Sequence, residues 1–261
     1  MPEFSITPEL RMYLEILKSQ DFERNVAYMY VDSQNQITVG VGHNITAHRD
    51  LDQLTFIVRV DDSDPIKLGH GRVTREHVRG GNRGKPVENY EQRKGKLATA
   101  AEKQNDYDFL LAHAGGLPGE GLSQYLPDPP VKMKKYTTLD MPPDDVQTLF
   151  ESDLNDSIDI VRSEFGQNSF DKFPPSCQAA LIDMAFNMGL GRRPDPNRKG
   201  DHGRGLRSFT TMYAAINGEG NWAKKTWAER WRAAAAGSRR IKISEARNNK
   251  ISEWFLRGSH R

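Results

Sequence analysis

The chain has 261 residues, 36% hydrophobic and 28% charged, enough for one large domain or two smaller ones with a real apolar core. Its net charge of +2 gives no polycationic signal for nucleic acid, although Arg and Lys crowd residues 67–103, 192–207 and 224–250. Cys177 is the single cysteine, which excludes an intrachain disulfide and a cysteine metal cluster. No stretch approaches the roughly 20 apolar residues of a membrane span.

The N-terminus, Met-Pro-Glu-Phe-Ser, has neither the basic nor the apolar segment of a signal peptide, so delivery outside the cytoplasm is expected to rest on other machinery. Thr7-Pro8-Glu9 reads as a helix start, with Thr as N-cap, Pro at the first helical position and an acid in the first turn. Leu10, Tyr13, Leu14 and Leu17 then fall on one helical face, and Gln20-Asp21-Phe22 ends the pattern just ahead of Glu23. Apolar residues alternate at Val26, Tyr28 and Tyr30, and again at Ile37, Val39 and Val41, on either side of the turn residues Ser33-Gln34-Asn35-Gln36. That is a hairpin, with Asp32 and Thr38 on it and Gly40-Val41-Gly42-His43 at its end. Two carboxylates, Glu23 and Asp32, thus bracket a strand, and a carboxyl pair across a groove is what glycosidic-bond hydrolysis requires. Taken alone, each is as well read as a helix-end carboxylate and a turn residue.

Thr55 to Val60 is a further strand-like run. From Asp61 to about Thr137 the chain turns rich in Gly, Pro and charge, which reads as an insertion whose role its composition does not state. Within it, Leu97 to Ala114 reads as a helix burying Ala101, Phe109, Leu110 and Ala112, stopped by Gly115-Gly116-Leu117-Pro118-Gly119. His70, His77 and His113 lack metal-ligand spacing and read as surface residues, so neither a metal nor another cofactor is expected.

Periodicity returns with Val146, Leu149, Phe150, Leu154, Ile158, Val161 and Phe165, a long amphipathic helix with an acidic outer face. After the boundary at Phe173-Pro174-Pro175-Ser176, Cys177 to Met188 is apolar on nearly every side, as a central helix buried all round would be. Arg192 to Arg207 reads as a loop. A helix restarts at Ser208-Phe209, and another spans Trp222 to Ala236, where the spacing of Trp227 and Trp231 suggests core packing more than sugar platforms. Ile243 to Leu256 closes the chain as a basic helix with Ile251, Trp254 and Phe255 inward. The expected division is 1–60, 61–137 and 138–261.

The spacing Glu23-x8-Asp32-x5-Thr38, followed by Gly40-Val41-Gly42-His43, resembles the catalytic cluster of phage-type (T4-like) lysozymes. Asp144-Asp145-Val146-Gln147-Thr148-Leu149-Phe150 is similar to the family's Asp-Glu-Ala-x-x-Leu-Phe helix. Gln178-Ala179-Ala180-Leu181-Ile182-Asp183-Met184-Ala185-Phe186-Asn187-Met188-Gly189 is similar to its central helix. The segment around Ser238-Arg239 and Arg247 resembles the family's last basic helices more weakly, because Ser244-Glu245-Ala246-Arg247 replaces the family's usual motif there. The likeness covers about residues 10–58 and 139–256 and leaves the insertion unmatched.

That resemblance implies an α+β lysozyme-like fold, with a small lobe containing the β-hairpin, a mostly helical lobe around residues 177–188, and Glu23 at their junction. It implies Glu23 as general acid, Asp32 and Thr38 as holders of the attacking water, and inversion with carboxyls roughly 6.5–9.5 Å apart. His43, Phe186, Asn187, Arg239 and Arg247 are the implied substrate-binding residues, with Asn187 one methylene shorter than the family's Gln. An Arg beside Glu23 would lower its pKa while burial would raise it. The implied activity is that of a muramidase cutting the β-1,4 bond between N-acetylmuramic acid and N-acetylglucosamine in peptidoglycan. A lytic transglycosylase on the same bond and a non-catalytic wall-binding module are the alternatives. The expected setting is the bacterial periplasm or cell wall, reached as a phage endolysin with a holin or as a delivered toxin whose producer keeps an immunity protein. A monomer without nucleic-acid or membrane partners is expected.

Overall fold

Helix and small antiparallel sheets combine in an α+β architecture, seen in a computed structural model that describes residues 4–19, 25–32, 36–45, 48–60, 94–112, 134, 137–195, 197–198, 201, 203–240 and 243–260. The chain divides into two compact units, Asn25–Phe150 and the pairing of Met1–Arg24 with Glu151–Arg261. Among the described residues no helix is long and apolar enough to cross a membrane.

In the unit Asn25–Phe150, strands β1 (Val26–Val31), β2 (Ile37–Gly40) and β3 (His43–Asn44) form an antiparallel sheet in that order. Val26, Tyr28, Tyr30, Ile37 and Val39 are buried as the alternation predicts, but Met29, Val31 and Thr38 between them are buried as well, so β1 and β2 are covered on both faces. Helix α2 (His48–Gln53) follows. Of the strand-like run Thr55 to Val60, β4 (Ile57–Val58) pairs with β5 (Leu139–Asp140) on one edge and bridges Leu97 on the other, and Phe56 and Arg59 add backbone bonds to Ala98 and Thr138.

Helix α3 (Ala100–Ala112) starts three residues later than its apolar pattern suggests, because Thr99 and Glu102 build a capping box there. Its buried face also differs from the expected one. Leu110 is buried and Phe109 half-buried, but Ala101 and Ala112 are exposed, while Asp106 and Tyr107 point inward. The reason is polar. Asp106 accepts from the backbone N–H groups of Thr138 at 2.7 Å and Leu139 at 3.1 Å and from the Thr138 hydroxyl at 3.1 Å. Three donors draw a carboxylate under β5 where periodicity alone would turn it to solvent.

The second unit is built on helix α6 (Pro175–Met188), in which every residue from Ser176 to Ala185 is buried. Pro175 opens it and Gly189 closes it, as the sequence requires. Helix α4 (Pro143–Phe165) contributes its residues from Glu151 onward to this unit, burying Leu154, Ile158, Val161 and Phe165. The short α5 (Gln167–Phe170) follows. Helix α1 (Pro8–Glu15) is capped by Thr7, whose hydroxyl accepts from the Leu10 N–H at 3.1 Å, and its buried Leu10, Tyr13 and Leu14 face α6.

Helix α7 (Thr210–Asn217) packs on α8 (Trp227–Gly237). The expected single helix from Trp222 to Ala236 is a 3-10 turn, Gly220–Lys224, and then α8, because Thr226 and Glu229 form a reciprocal capping box that fixes a new start. Trp231 is in the core, stacked on Phe255, but Trp227 is 47% exposed. Helix α9 (Glu245–Gly258), capped by Ser244, buries Ile251, Trp254 and Phe255 against α6 and α8.

Candidate functional site

The hairpin holds three of the residues singled out in the sequence. Asp32 directly follows β1, and its Oδ1 accepts from the N–H of Gln36 at 2.8 Å while its own N–H donates to the Gln36 carbonyl at 2.8 Å. This reciprocal pair joins Asp32 to Gln36 and fixes the orientation of a half-buried carboxylate. Thr38 is buried on β2, in register with Tyr30 on one side and Asn44 on the other, and its hydroxyl donates to the Gln36 carbonyl at 3.3 Å. Asp32 and Thr38 thus share one backbone residue, Gln36, whose side-chain amide oxygen also accepts from Asn44 Nδ2. His43 pairs with Val39 across the next turn and is half-buried. Gly40 and Gly42 take φ of +65° and +77°, a left-handed backbone that admits few other residues, which explains the Gly-x-Gly spacing before His43.

In the helical unit, Phe186 and Asn187 occupy the last turn of α6, where burial gives way to partial exposure. One face further in is Asp183, fully buried on the same helix. Its Oδ1 accepts from Arg247 Nη2 at 2.6 Å and Nε at 3.1 Å, and Arg240 Nη2 lies 2.9 Å from its Oδ2. Both guanidiniums are buried, so among the described residues the cluster holds two positive charges and one negative. Asn248 seats the chain before α9 by accepting from the Arg240 N–H at 2.9 Å and donating to the Arg240 carbonyl at 2.9 Å. Arg239 points outward, 3.8 Å from Glu245 at the surface.

Asp32, Thr38 and His43 therefore gather on one sheet, and Phe186, Asn187 and Arg247 on α6 and α9 of the other unit, with Arg239 exposed. Glu23 lies outside the described residues, as do His70, His77 and His113. Sequence reasoning missed Asp183 and Arg240. The signal was present: an aspartate inside a helix read as buried on all sides must be paired, because an isolated buried carboxylate is too costly.

A second cluster lies beside β4. Buried Arg59 makes bonds of 2.9 Å from Nε to both oxygens of Asp140, and donates to the carbonyls of Lys134, Thr137 and Leu139. Burial pushes the nearby Asp106 carboxyl up to about 6, against the opposing pull of its hydrogen bonds and of Arg59. Around the loop after α6, Asp201 accepts from Arg192 and from the N–H groups of Asp195 and Gly203, while Glu164 accepts from Arg207 and Tyr213. Hydrogen bonding to Arg192 holds the Asp201 carboxyl well below the usual carboxylate range.

Chemically, the hairpin offers a fixed carboxylate and a hydroxyl whose proton is given to the Gln36 carbonyl, acceptors suited to holding a water or a sugar hydroxyl. No protein-family model matches the chain, and no curated protein matches it significantly in sequence.

Proposed function

We propose that the protein is a peptidoglycan hydrolase of the lysozyme-like α+β type, an inverting muramidase. The observation that carries the reading is the spacing Glu23-x8-Asp32-x5-Thr38 ahead of Gly-Val-Gly-His, with Asp32 and Thr38 joined through Gln36 on one hairpin. In this reading Glu23 gives a proton to the leaving glycosidic oxygen. Asp32 accepts a proton from the attacking water, and Thr38 orients that water from the neighbouring strand. The bond cut joins N-acetylmuramic acid to N-acetylglucosamine. Phe186 and Asn187 at the open end of α6 contact the glycan, and Arg239 offers charge to its peptide carboxylates. Buried Arg247, tied to Asp183, is a positioning residue in this reading.

Soluble fragment release from purified sacculi tests this. Wild type is expected to release muropeptides, and Glu23→Gln and Asp32→Asn to lose at least about 100-fold in rate, the scale of a missing general acid or base. Equal release by all three would remove the assignment.

A further inference from the structure

Beside the N-terminus of α6, the helical unit has an open cavity of about 380 Å³, within the usual range of small-molecule sites, roughly 300–1,000 Å³. One wall is apolar, made by the rings of Phe4, Phe173, Pro174 and Pro175. Phe4 is held there by Phe170, 5.8 Å away, and by the Arg162 guanidinium 5.0 Å above its ring. Ser5, Thr7, Asp171, Lys172 and Gln178 supply polar groups to the lining, the Asp171 carboxylate being paired with Arg162 at 3.1 Å.

Gln178 is the informative residue. It is only 4% exposed, and its Nε2 donates to the Phe170 carbonyl at 2.9 Å. A carbonyl can only accept, so the amide is turned one way, with Oε1 as its remaining acceptor. Among the described residues no protein donor meets that oxygen, and it is not sealed from solvent, so a ligand in the cavity that Gln178 lines can reach it. The cavity therefore combines flat apolar rings with an acceptor whose orientation is fixed. That pairing suits an acetamido group, whose N–H donates to a carbonyl oxygen while its methyl and the sugar's C–H face lie on aromatic and proline rings.

We infer that this cavity is a non-catalytic binding site for an N-acetylated hexosamine unit of the wall glycan. The choice of sugar rests on the muramidase reading, and the match to an acetamide rests on the cavity alone. Such a site would hold the enzyme on its polymer between cuts, raising the effective concentration of the next bond.

The test is a residue-resolved NMR titration of the full chain with the trimer of N-acetylglucosamine and with its deacetylated counterpart. Amide shifts at residues 171–178 are expected with the acetylated trimer, and binding at least tenfold weaker with the deacetylated one. Ser5→Trp, which fills the cavity from an exposed position, should abolish the response without changing the thermal midpoint, and Gln178→Met should weaken it at least tenfold. No shifts at 171–178, an equal response to the deacetylated trimer, or full retention in Ser5→Trp would each overturn the site. Shifts there without muropeptide release from sacculi would keep this site and remove only the hydrolase reading. Release without those shifts would remove the site alone.

Discussion

Arg59 and Asp183 are both buried charges, one in each unit, and they are compensated in opposite ways. Arg59 faces two carboxylates, Asp140 by direct bonds and Asp106 through space, and spends its other donors on the carbonyls of Lys134, Thr137 and Leu139. Asp183 faces two guanidiniums, from Arg247 on α9 and from Arg240 on the chain before it. The first cluster fixes the path of a short backbone segment against β4. The second ties the central helix α6 to α9 and to Arg240 before it. A clasp on local backbone can loosen while its surroundings persist, whereas a tie between core helices shares the stability of the whole unit.

Removing the hub of the second cluster should therefore have the largest effect. Asp183→Ala leaves two buried guanidiniums without their shared carboxylate and is expected to cost about 4 kcal/mol, read as a lowered midpoint in thermal or urea unfolding. A loss below about 1 kcal/mol would show that the tie between α6 and α9 matters little. Arg59→Met keeps the stem's volume but strips three carbonyls and Asp140 of their donor. It should cost about 3 kcal/mol, with hydrogen exchange accelerating first at Thr138 and Leu139. Exchange that speeds equally across α6 would erase the distinction between a local clasp and a global tie.

The smallest effect is one of pH. The Asp106 carboxyl titrates near 6 when folded and near 3.8 when unfolded, so the folded state holds the proton more tightly. Its burial penalty is complete above about 6, shrinks as the pH falls, and is gone below about 4. Wild type should gain on the order of 2 kcal/mol relative to Asp106→Asn as the pH drops through that window. A stability difference independent of pH would contradict the assignment of the raised titration to burial.

Much of the secondary structure could be read from residues whose signals are local. Thr7-Pro8, Pro175 and Ser244 mark helix starts, and the alternation around Val26 and Ile37 marks the hairpin, because caps and period-two patterning act within a few residues. What escaped the sequence was decided by partners distant in the chain. Asp106 turned a helix face inward because Thr138 and Leu139 supply donors, and residues 94–112 join the hairpin's unit through such contacts. The start of α8 was missed for a different reason: Trp222 and Ala223 continue an apolar spacing that the Thr226–Glu229 capping box interrupts. At the candidate site, Asp32 and Thr38 were visible by spacing, whereas their joint dependence on the Gln36 backbone was not, since nothing in a residue type reveals which carbonyl it will share.

The central claim is the chemistry assigned to Glu23, Asp32 and Thr38, and the masses of the products from digested sacculi test it most directly. An inverting muramidase yields muropeptides ending in reducing N-acetylmuramic acid, and Asp32→Asn should yield almost none. Products ending in anhydromuramic acid, formed equally well by Asp32→Asn, would contradict the account, since that reaction needs an acid at Glu23 but no water held by Asp32.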